Sequence, residues 1–210
     1  MRAVPTQPTP ISSALRVPQG DQFREIRTAL ASVDSTHFDG ALPQIDVVCG
    51  RSMGGEDGAF DPAKRQLSVA LIAANVQAAF LHELGHVVDR FGIGDSSLFA
   101  TLAEPEMAGW WEATIQSQRF AEWKALQKAT RDPALMAYLP YHLRVWELWA
   151  RSYAQCVASR ANNRATLEFL LNQQTVLPTG EVLVYQWEHD DFVSIADEIE
   201  MLFQRLGWIS

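Results

Sequence analysis

The pattern His-Glu-x-x-His occurs at residues 82–86 of the chain. Positions i and i+4 of a helix lie on one face, one turn apart, so a helical segment would direct the imidazoles of His82 and His86 into the same space. Such a pair suits Zn²⁺, which binds nitrogen ligands tetrahedrally and keeps one position for water at catalytic sites. Glu83 would lie beside that water and could act as general base. The pattern therefore predicts a zinc site.

The residues around this pattern favour a helix. Asn75 is a suitable N-cap residue, and Gly92 is predicted to follow the helix as its C′ residue. One side of the segment is apolar at helical spacing, through Val76, Phe80, Leu84, Val87, Val88 and Phe91. An ordinary surface helix is the alternative, but the pattern on a capped, half-apolar helix favours a metal site.

Composition limits the classes of function. The chain has 210 residues, of which 48% are hydrophobic, enough for a domain with a buried core. A net charge of −8 and the lack of a Lys/Arg run argue against nucleic-acid binding. No apolar run is long enough to span a membrane, and residues 1–20 lack the apolar region of a signal peptide. We therefore expect a cytoplasmic protein with no membrane contact; signal-independent export and the oligomeric state stay open.

The order of predicted elements indicates an α+β fold, mainly helical, with a small twisted sheet leading into the helix of His82. Pro5, Pro8, Pro10 and Pro18 predict a flexible lead-in over residues 1–20, followed by a single domain over 21–210. Strands are predicted at 45–49, 59–60, 66–71 and 181–187, and helices at 21–31, 95–129, 141–160, 164–174 and 190–206. Between them, loops or breaks are predicted at 32–43, 51–58, 61–64 and 131–140, with His37 on the surface.

Glu147 is the candidate for a third metal ligand. It lies in the helix predicted over 141–160, with Ala150, Arg151 and Ala154 on the same face. The two alanines would let another helix approach closely, so that the carboxylate could reach a metal held there. The alternative is an ion pair between Glu147 and Arg151, worth roughly a few tenths of a kcal/mol. On spacing alone, that alternative is preferred.

Two segments together resemble the zincin metallopeptidases of the gluzincin type. They are His82-Glu83-Leu84-Gly85-His86 and Glu147-x-x-Ala150-x-x-Tyr153-Ala154. In that family the third zinc ligand is a Glu on a later helix in this context. Residues 86–92 are also similar to the segment after the motif in anthrax lethal factor-like catalytic domains. The resemblance covers residues 45–155 and implies a zincin-like domain, with Glu147 as the third zinc ligand.

The chain also departs from related patterns. Asp89 and Gly92 stand where metzincins have Gly and His, so that subtype is excluded. Arg151 stands where thermolysin-like enzymes have an Asp, which leaves the hydrogen-bond partner of the ligand histidines unassigned. We expect Asp89, one turn after His86, to supply part of it.

The resemblance implies a zinc-dependent peptidase acting on a protein or peptide. Glu83 would take a proton from the zinc-bound water and pass it to the leaving amine. Tyr141, His142 or Tyr153 could bind the oxyanion, and the first two are preferred because they follow Pro140 in a predicted loop. Strand 66–71 would pair with an extended substrate. A zinc-stabilised binding or structural domain is a second hypothesis, and a toxin or phage-type effector protease with one host target is a third.

Overall fold

The computed structural model describes residues 9–39, 42–50, 57–93, 98–176, 180 and 182–209. The helices are α1 (Arg24–Thr36), α2 (Val76–Val87), α3 (Ala100–Ala103), α4 (Ala108–Gln116), α5 (Gln118–Ala129), α6 (Pro133–His142), α7 (Val145–Arg160), α8 (Arg164–Leu171) and α9 (His189–Arg205). The strands are β1 (Thr9–Pro10), β2 (Leu15–Arg16), β3 (Phe38–Asp39), β4 (Ile45–Gly50), β5 (Gly58–Asp61), β6 (Gln66–Ala70), β7 (Gln174–Val176) and β8 (Val182–Val184). This mainly helical structure with a small mixed sheet confirms the predicted α+β class.

The largest sheet has the strand order β2-β4-β6-β5. Its first three strands are parallel, and β5 runs antiparallel to β6 at the edge. The predicted turn between β5 and β6 is confirmed, because the Asp61 carboxylate accepts hydrogen bonds from the backbone N–H groups of Ala63 and Lys64. Strand β6 pairs with β4 on one side and with β5 on the other, so neither of its edges is free. The predicted pairing of a substrate with residues 66–71 is therefore wrong, and the edge strand beside β6 is β5.

Helix α2 follows β6 closely and carries the His-Glu-x-x-His pattern. Its predicted N-cap is confirmed, since the Asn75 side chain accepts a 2.9 Å hydrogen bond from the backbone N–H of Ala78. The predicted stop at Gly92 is wrong, because the chain continues as a π-helical turn over Val88–Ile93. A Cβ at Gly92 would lie 2.9 Å from the Trp208 ring, so close packing, and not a helix end, requires glycine here.

Helices α2 and α7 pack against each other at small residues. A Cβ on Gly85 would lie 2.8 Å from the Cα of Ala150, so the two backbones approach as closely as glycine allows. The indole N–H of Trp149 donates a 2.9 Å hydrogen bond to the Gly85 carbonyl and fixes the register of this contact. The structure thus confirms the expectation that an alanine on α7 permits close approach of another helix.

Residues 9–16 are ordered, in contrast to the flexible lead-in predicted over residues 1–20. They form β1, a 3₁₀ turn over Ile11–Ala14 and β2, and the side chains of Ile11 and Leu15 are buried in the core. The part of that prediction on residues 1–8 lies outside the described residues. Of the turn predicted at 51–58, residues 51–56 also lie outside the described residues.

The prediction of a break over 131–140 is wrong, because α6 occupies most of that range. The Asp132 carboxylate caps α6 by accepting hydrogen bonds from the backbone of Ala134 and Leu135, and Pro133 occupies the first turn, where a missing N–H costs nothing. Tyr141 and His142 therefore lie in the last turn of α6 and not in a loop. The strand or hairpin arm predicted at 181–187 is confirmed in part by β8, which pairs with β7.

His37 is buried, so the prediction of a surface position is wrong. Its ring stacks on Trp208, its Nδ1 donates to the Phe38 carbonyl, and its Nε2 accepts a 2.9 Å hydrogen bond from the Tyr153 hydroxyl. Burial lowers the pKa of His37 to about 4, although the hydrogen bond to Phe38 acts in the opposite direction. His37 thereby joins α7 to the C-terminal residues.

The buried His37 predicts a pH-dependent stability. Its folded pKa of about 4 lies below the ordinary value of 6.5, so the unfolded chain binds more protons between these values. The free energy of unfolding should therefore fall with decreasing pH, by up to about 3 kcal/mol from this group. In urea unfolding at about pH 7 and about pH 5, His37→Gln is expected to lose less stability than the wild type. An equal loss in both proteins would contradict this assignment.

Within the described part of the chain, no helix has the length and apolar character needed to cross a membrane.

Candidate metal centre

Three predicted ligand residues meet between α2 and α7. His82 Nε2 lies 3.4 Å from one carboxylate oxygen of Glu147, and His86 Nε2 lies 3.6 Å from the other. One ligand atom from each residue lies within 4.8 Å of the others. The two histidines come from adjacent turns of α2, and Glu147 comes from the first turn of α7. The contact of Gly85 with Ala150 brings these two helix segments together.

The environment of His86 and Glu147 keeps these two groups in the protonation states that bind metals. Burial, followed by the charge of His82, lowers the pKa of His86 to about 3, so its imidazole is neutral at neutral pH. Burial raises the pKa of Glu147, but its hydrogen-bonding and electrostatic interactions, chiefly those with His82, outweigh that effect and lower the pKa to about 2. A neutral imidazole and an ionised carboxylate are the forms that bind metals.

Asp89 does not fulfil the expectation that it would support a ligand histidine. One of its oxygens accepts a 2.9 Å hydrogen bond from the Thr101 backbone N–H, and the other accepts from the Thr101 hydroxyl at 2.8 Å. Asp89 therefore fastens α3 to the end of the α2 segment. Nδ1 of His86 is buried and has no hydrogen-bond partner among the described residues.

Glu83 lines the same cavity as the three ligand candidates, beside the edge strand β5. A Cβ on Gly58 would lie 2.6 Å from Cγ of Glu83 and 3.0 Å from one carboxylate oxygen. Only glycine therefore lets β5 pass this close to the carboxylate. Gly58 has a role at the site that the sequence did not indicate, because the contact depends on tertiary structure.

The oxyanion candidates occupy different places. Tyr141 lines the cavity, is 43% exposed, and its hydroxyl lies near the Glu147 carboxylate. Burial and Glu147 raise the pKa of Tyr141, so its hydroxyl remains a donor at neutral pH. His142 is fully buried behind the cavity wall, with Nδ1 2.8 Å from a guanidinium nitrogen of Arg151. Tyr153 is buried against His37. Of the three, only Tyr141 lines the cavity.

The cavity has a volume of about 990 Å³ and runs past the candidate metal ligands. Strand β5 and α2 form one side, and α6 and α7 form the other. Near His86, the rings of Phe99 and Trp146 stack with centroids 6.0 Å apart. Farther along the cavity, Tyr138 and Tyr185 pack edge to face. An open, aromatic-lined cleft of this size can admit a peptide segment.

Comparisons of the chain with models of protein families, with curated proteins and with solved structures found no match. A His-His-Glu cluster is by itself too small a feature to identify a zincin. The functional conclusion therefore rests on the chemistry of the site, in which two imidazoles and a carboxylate form a group able to hold a metal ion.

Proposed function

We propose that the protein is a zinc-dependent metallopeptidase of zincin type. The observation that carries this proposal is the meeting of His82, His86 and Glu147 at one point of an open cleft that Glu83 also lines. A structural zinc site is closed by protein ligands and has no use for a carboxylate beside an open position. The proposal therefore favours catalysis over a role in stability alone.

The donor set fits zinc. Nitrogen and oxygen ligands about 2.0–2.2 Å from a tetrahedral ion lie roughly 3.3–3.6 Å from one another. The separations of 3.4 Å for His82–Glu147 and 3.6 Å for His86–Glu147 are of that order, although they involve different carboxylate oxygens. One ligand atom from each of the three residues lies within 4.8 Å of the others, which is close enough for the three side chains to share one ion. Two histidines and one glutamate also leave a fourth position for water, as catalytic zinc sites do. Bound there, zinc would polarise the scissile carbonyl and lower the pKa of its water.

Two side chains of the cleft have assigned roles in hydrolysis. Glu83 accepts the proton of the attacking water and delivers it to the leaving amine. Tyr141 donates its hydroxyl proton in a hydrogen bond to the oxygen that becomes negatively charged. His142 has no role in this proposal, since it lies behind the wall of the cleft.

Strand β5 is suited to hold the substrate backbone. The backbone N–H of Ala70 donates to the Asp57 carbonyl, which extends the β5–β6 ladder beyond Gly58. Residues of an antiparallel strand alternate in the direction of their hydrogen bonds. The backbone groups of Gly58 and Phe60 therefore face the open edge, where an extended peptide can pair with them next to Glu83.

We expect one zinc ion per chain in protein purified without chelator. His82→Ala and His86→Ala should each abolish it, because each removes a ligand of a three-ligand site. His189→Ala, which changes an exposed histidine at the start of α9, is the matched control and should keep the metal. Zinc measured by mass spectrometry at one equivalent in either ligand variant would overturn the metal assignment.

Cleavage itself is tested by incubating the wild type and Glu83→Gln with a proteome and comparing the new N-termini. The proposal expects N-termini that appear with the wild type and are missing with the variant. A single cleaved protein would support the effector hypothesis. A wild type that binds zinc and generates no N-termini from any proteome or peptide library would favour the zinc-stabilised binding domain and overturn the peptidase.

A further inference from the structure

Arg151 lies one helical turn after Glu147 on α7, and its side chain lines the cleft although the residue is only 6% exposed. Its guanidinium group is held from one side by His142, which accepts hydrogen bonds through Nδ1 and through its backbone carbonyl. The Trp123 ring lies 5.4 Å from the guanidinium carbon. These contacts orient the group and supply no negative charge.

The charge of Arg151 has no close counterion within the described part of the chain. No carboxylate there lies within 4.0 Å of the guanidinium, and Glu147 contacts the histidines instead. Nε of Arg151 is buried and has no hydrogen-bond partner among the residues that the structure describes. Glu147 attracts this charge from a distance, but it forms no ion pair with the guanidinium. A buried charge without a hydrogen-bonded counterion is costly, by several kcal/mol, so its presence calls for an explanation. The ion pair with Glu147 that spacing alone favours does not form.

A ligand carboxylate in the cleft would supply the missing negative charge. The planar guanidinium matches a carboxylate in two parallel hydrogen bonds, which are stronger than those between neutral groups. Residues at i and i+4 of a helix are about 6 Å apart. A carboxylate bound by Arg151 would therefore lie about one peptide residue from a scissile bond held at the candidate metal ligands. Carboxylates are also the anions that ordinary peptides carry, as acidic side chains and at the C-terminus.

We propose that Arg151 forms a carboxylate-binding subsite that selects substrates with a carboxylate about one residue from the scissile bond. This proposal rests on the proposed peptidase function, because it concerns substrates. Binding of a carboxylate at the subsite, however, does not require cleavage and can be measured by itself. The competing role for Arg151 is to balance the charge of Glu147. That role would affect zinc affinity and would not distinguish a carboxylate from an amide.

The test measures binding of matched probes to zinc-loaded Glu83→Gln by calorimetry. The first pair is N-acetyl-Phe-Glu-amide and N-acetyl-Phe-Gln-amide, and the second is N-acetyl-Phe-Phe as the free acid and as the amide. The carboxylate member of at least one pair should bind about 10- to 100-fold more tightly, the range expected for hydrogen bonds to charged groups. The first pair reports a side-chain carboxylate, and the second reports a C-terminal one.

A second substitution in the Glu83→Gln protein tests the role of Arg151. Arg151→Gln should remove the preference for the carboxylate probes. Arg151→Lys should reduce it, because lysine keeps the charge and loses the planar pair of donors. Arg160→Gln, on the same helix but paired with Asp197 and Glu200, is the control and should keep the preference. Should an Arg151 variant fail to fold, the Nε–H signal of Arg151 in Glu83→Gln still reports the contact by NMR, and it should shift with the carboxylate probes alone.

Equal binding of both members in both pairs, or no binding of any probe, would overturn the subsite. The outcome is separate from that of the peptidase proposal. Carboxylate-selective binding in a protein that cleaves nothing would keep the subsite and reject the peptidase. Cleavage without any preference for carboxylates would do the opposite.

Discussion

Glu83→Gln is expected to lower peptide-bond hydrolysis by about 10²- to 10⁴-fold, the usual contribution of a general base. Glutamine has nearly the same shape as glutamate, so it fits beside Gly58, where a Cβ would lie only 2.6 Å from Cγ of Glu83. It cannot accept the proton of the attacking water. Zinc should remain at one equivalent, because Glu83 is not among the three clustered candidate ligands. The measurements are kcat/KM on a cleaved peptide and the zinc content of the same sample.

The control for this substitution is Glu112→Gln, which changes an exposed glutamate on α4. It should match the wild type in both measurements. Cleavage by Glu83→Gln at the wild-type rate would remove Glu83 from the role of base. Loss of zinc together with activity would instead make Glu83 a ligand, and the assignment of Glu147 would then need revision.

The histidine pair could be predicted from the sequence because its geometry is local. The helical period alone directs His82 and His86 to one side, and the Asn75 cap and the apolar side of the segment indicate the helix. Glu147 could not be predicted from the helical period, since it lies 61 positions after His86. Spacing alone favoured an ion pair with Arg151, and the resemblance to gluzincins pointed to the metal. The structure shows why Glu147 lies beside the two histidines: the close contact of Gly85 with Ala150 brings α2 and α7 together.

Predictions failed where a side chain takes its partner from a distant part of the chain. Asp89 was expected to support a histidine, but Thr101 binds both of its oxygens. His37 was expected on the surface, but its ring packs against Trp208, which lies far along the chain. No periodicity encodes such pairs. The edge position of β5 is a similar case, because strand order depends on long-range pairing that the alternation of apolar residues does not specify.

The proline positions caused a different error. Pro133 and Pro140 suggested a break, yet proline is tolerated in the first turn of a helix and Pro133 occupies that turn of α6. Pro140 lies inside the helix near its C-terminal end, where it removes one hydrogen bond without ending the helix. The consequence reaches the site, because α6 directs Tyr141 into the cleft and buries His142 behind it.

Glu147→Ala is expected to weaken zinc binding by more than about 100-fold, because it leaves the two histidines as the only protein ligands. Zinc present at 100 times the wild-type Kd stabilises the folded wild type by about 2.7 kcal/mol, and the variant should lose most of that increment. Competition with a chromophoric chelator gives the affinity, and urea unfolding with and without zinc gives the stabilisation.

Two further variants make the result for Glu147 specific. Glu147→Gln keeps the size of the side chain and removes its charge, so a similar loss of zinc affinity would exclude a packing defect as the cause. Glu112→Ala removes an exposed carboxylate from α4 and should bind zinc as the wild type does. Wild-type zinc affinity in Glu147→Ala would reject Glu147 as the third ligand. The proposed pair of His82 and His86 with Glu83 as base would stand, and the third ligand would have to be another donor. The zinc affinities of Glu147→Ala and Glu147→Gln together therefore decide whether Glu147 is the third ligand that the gluzincin interpretation requires.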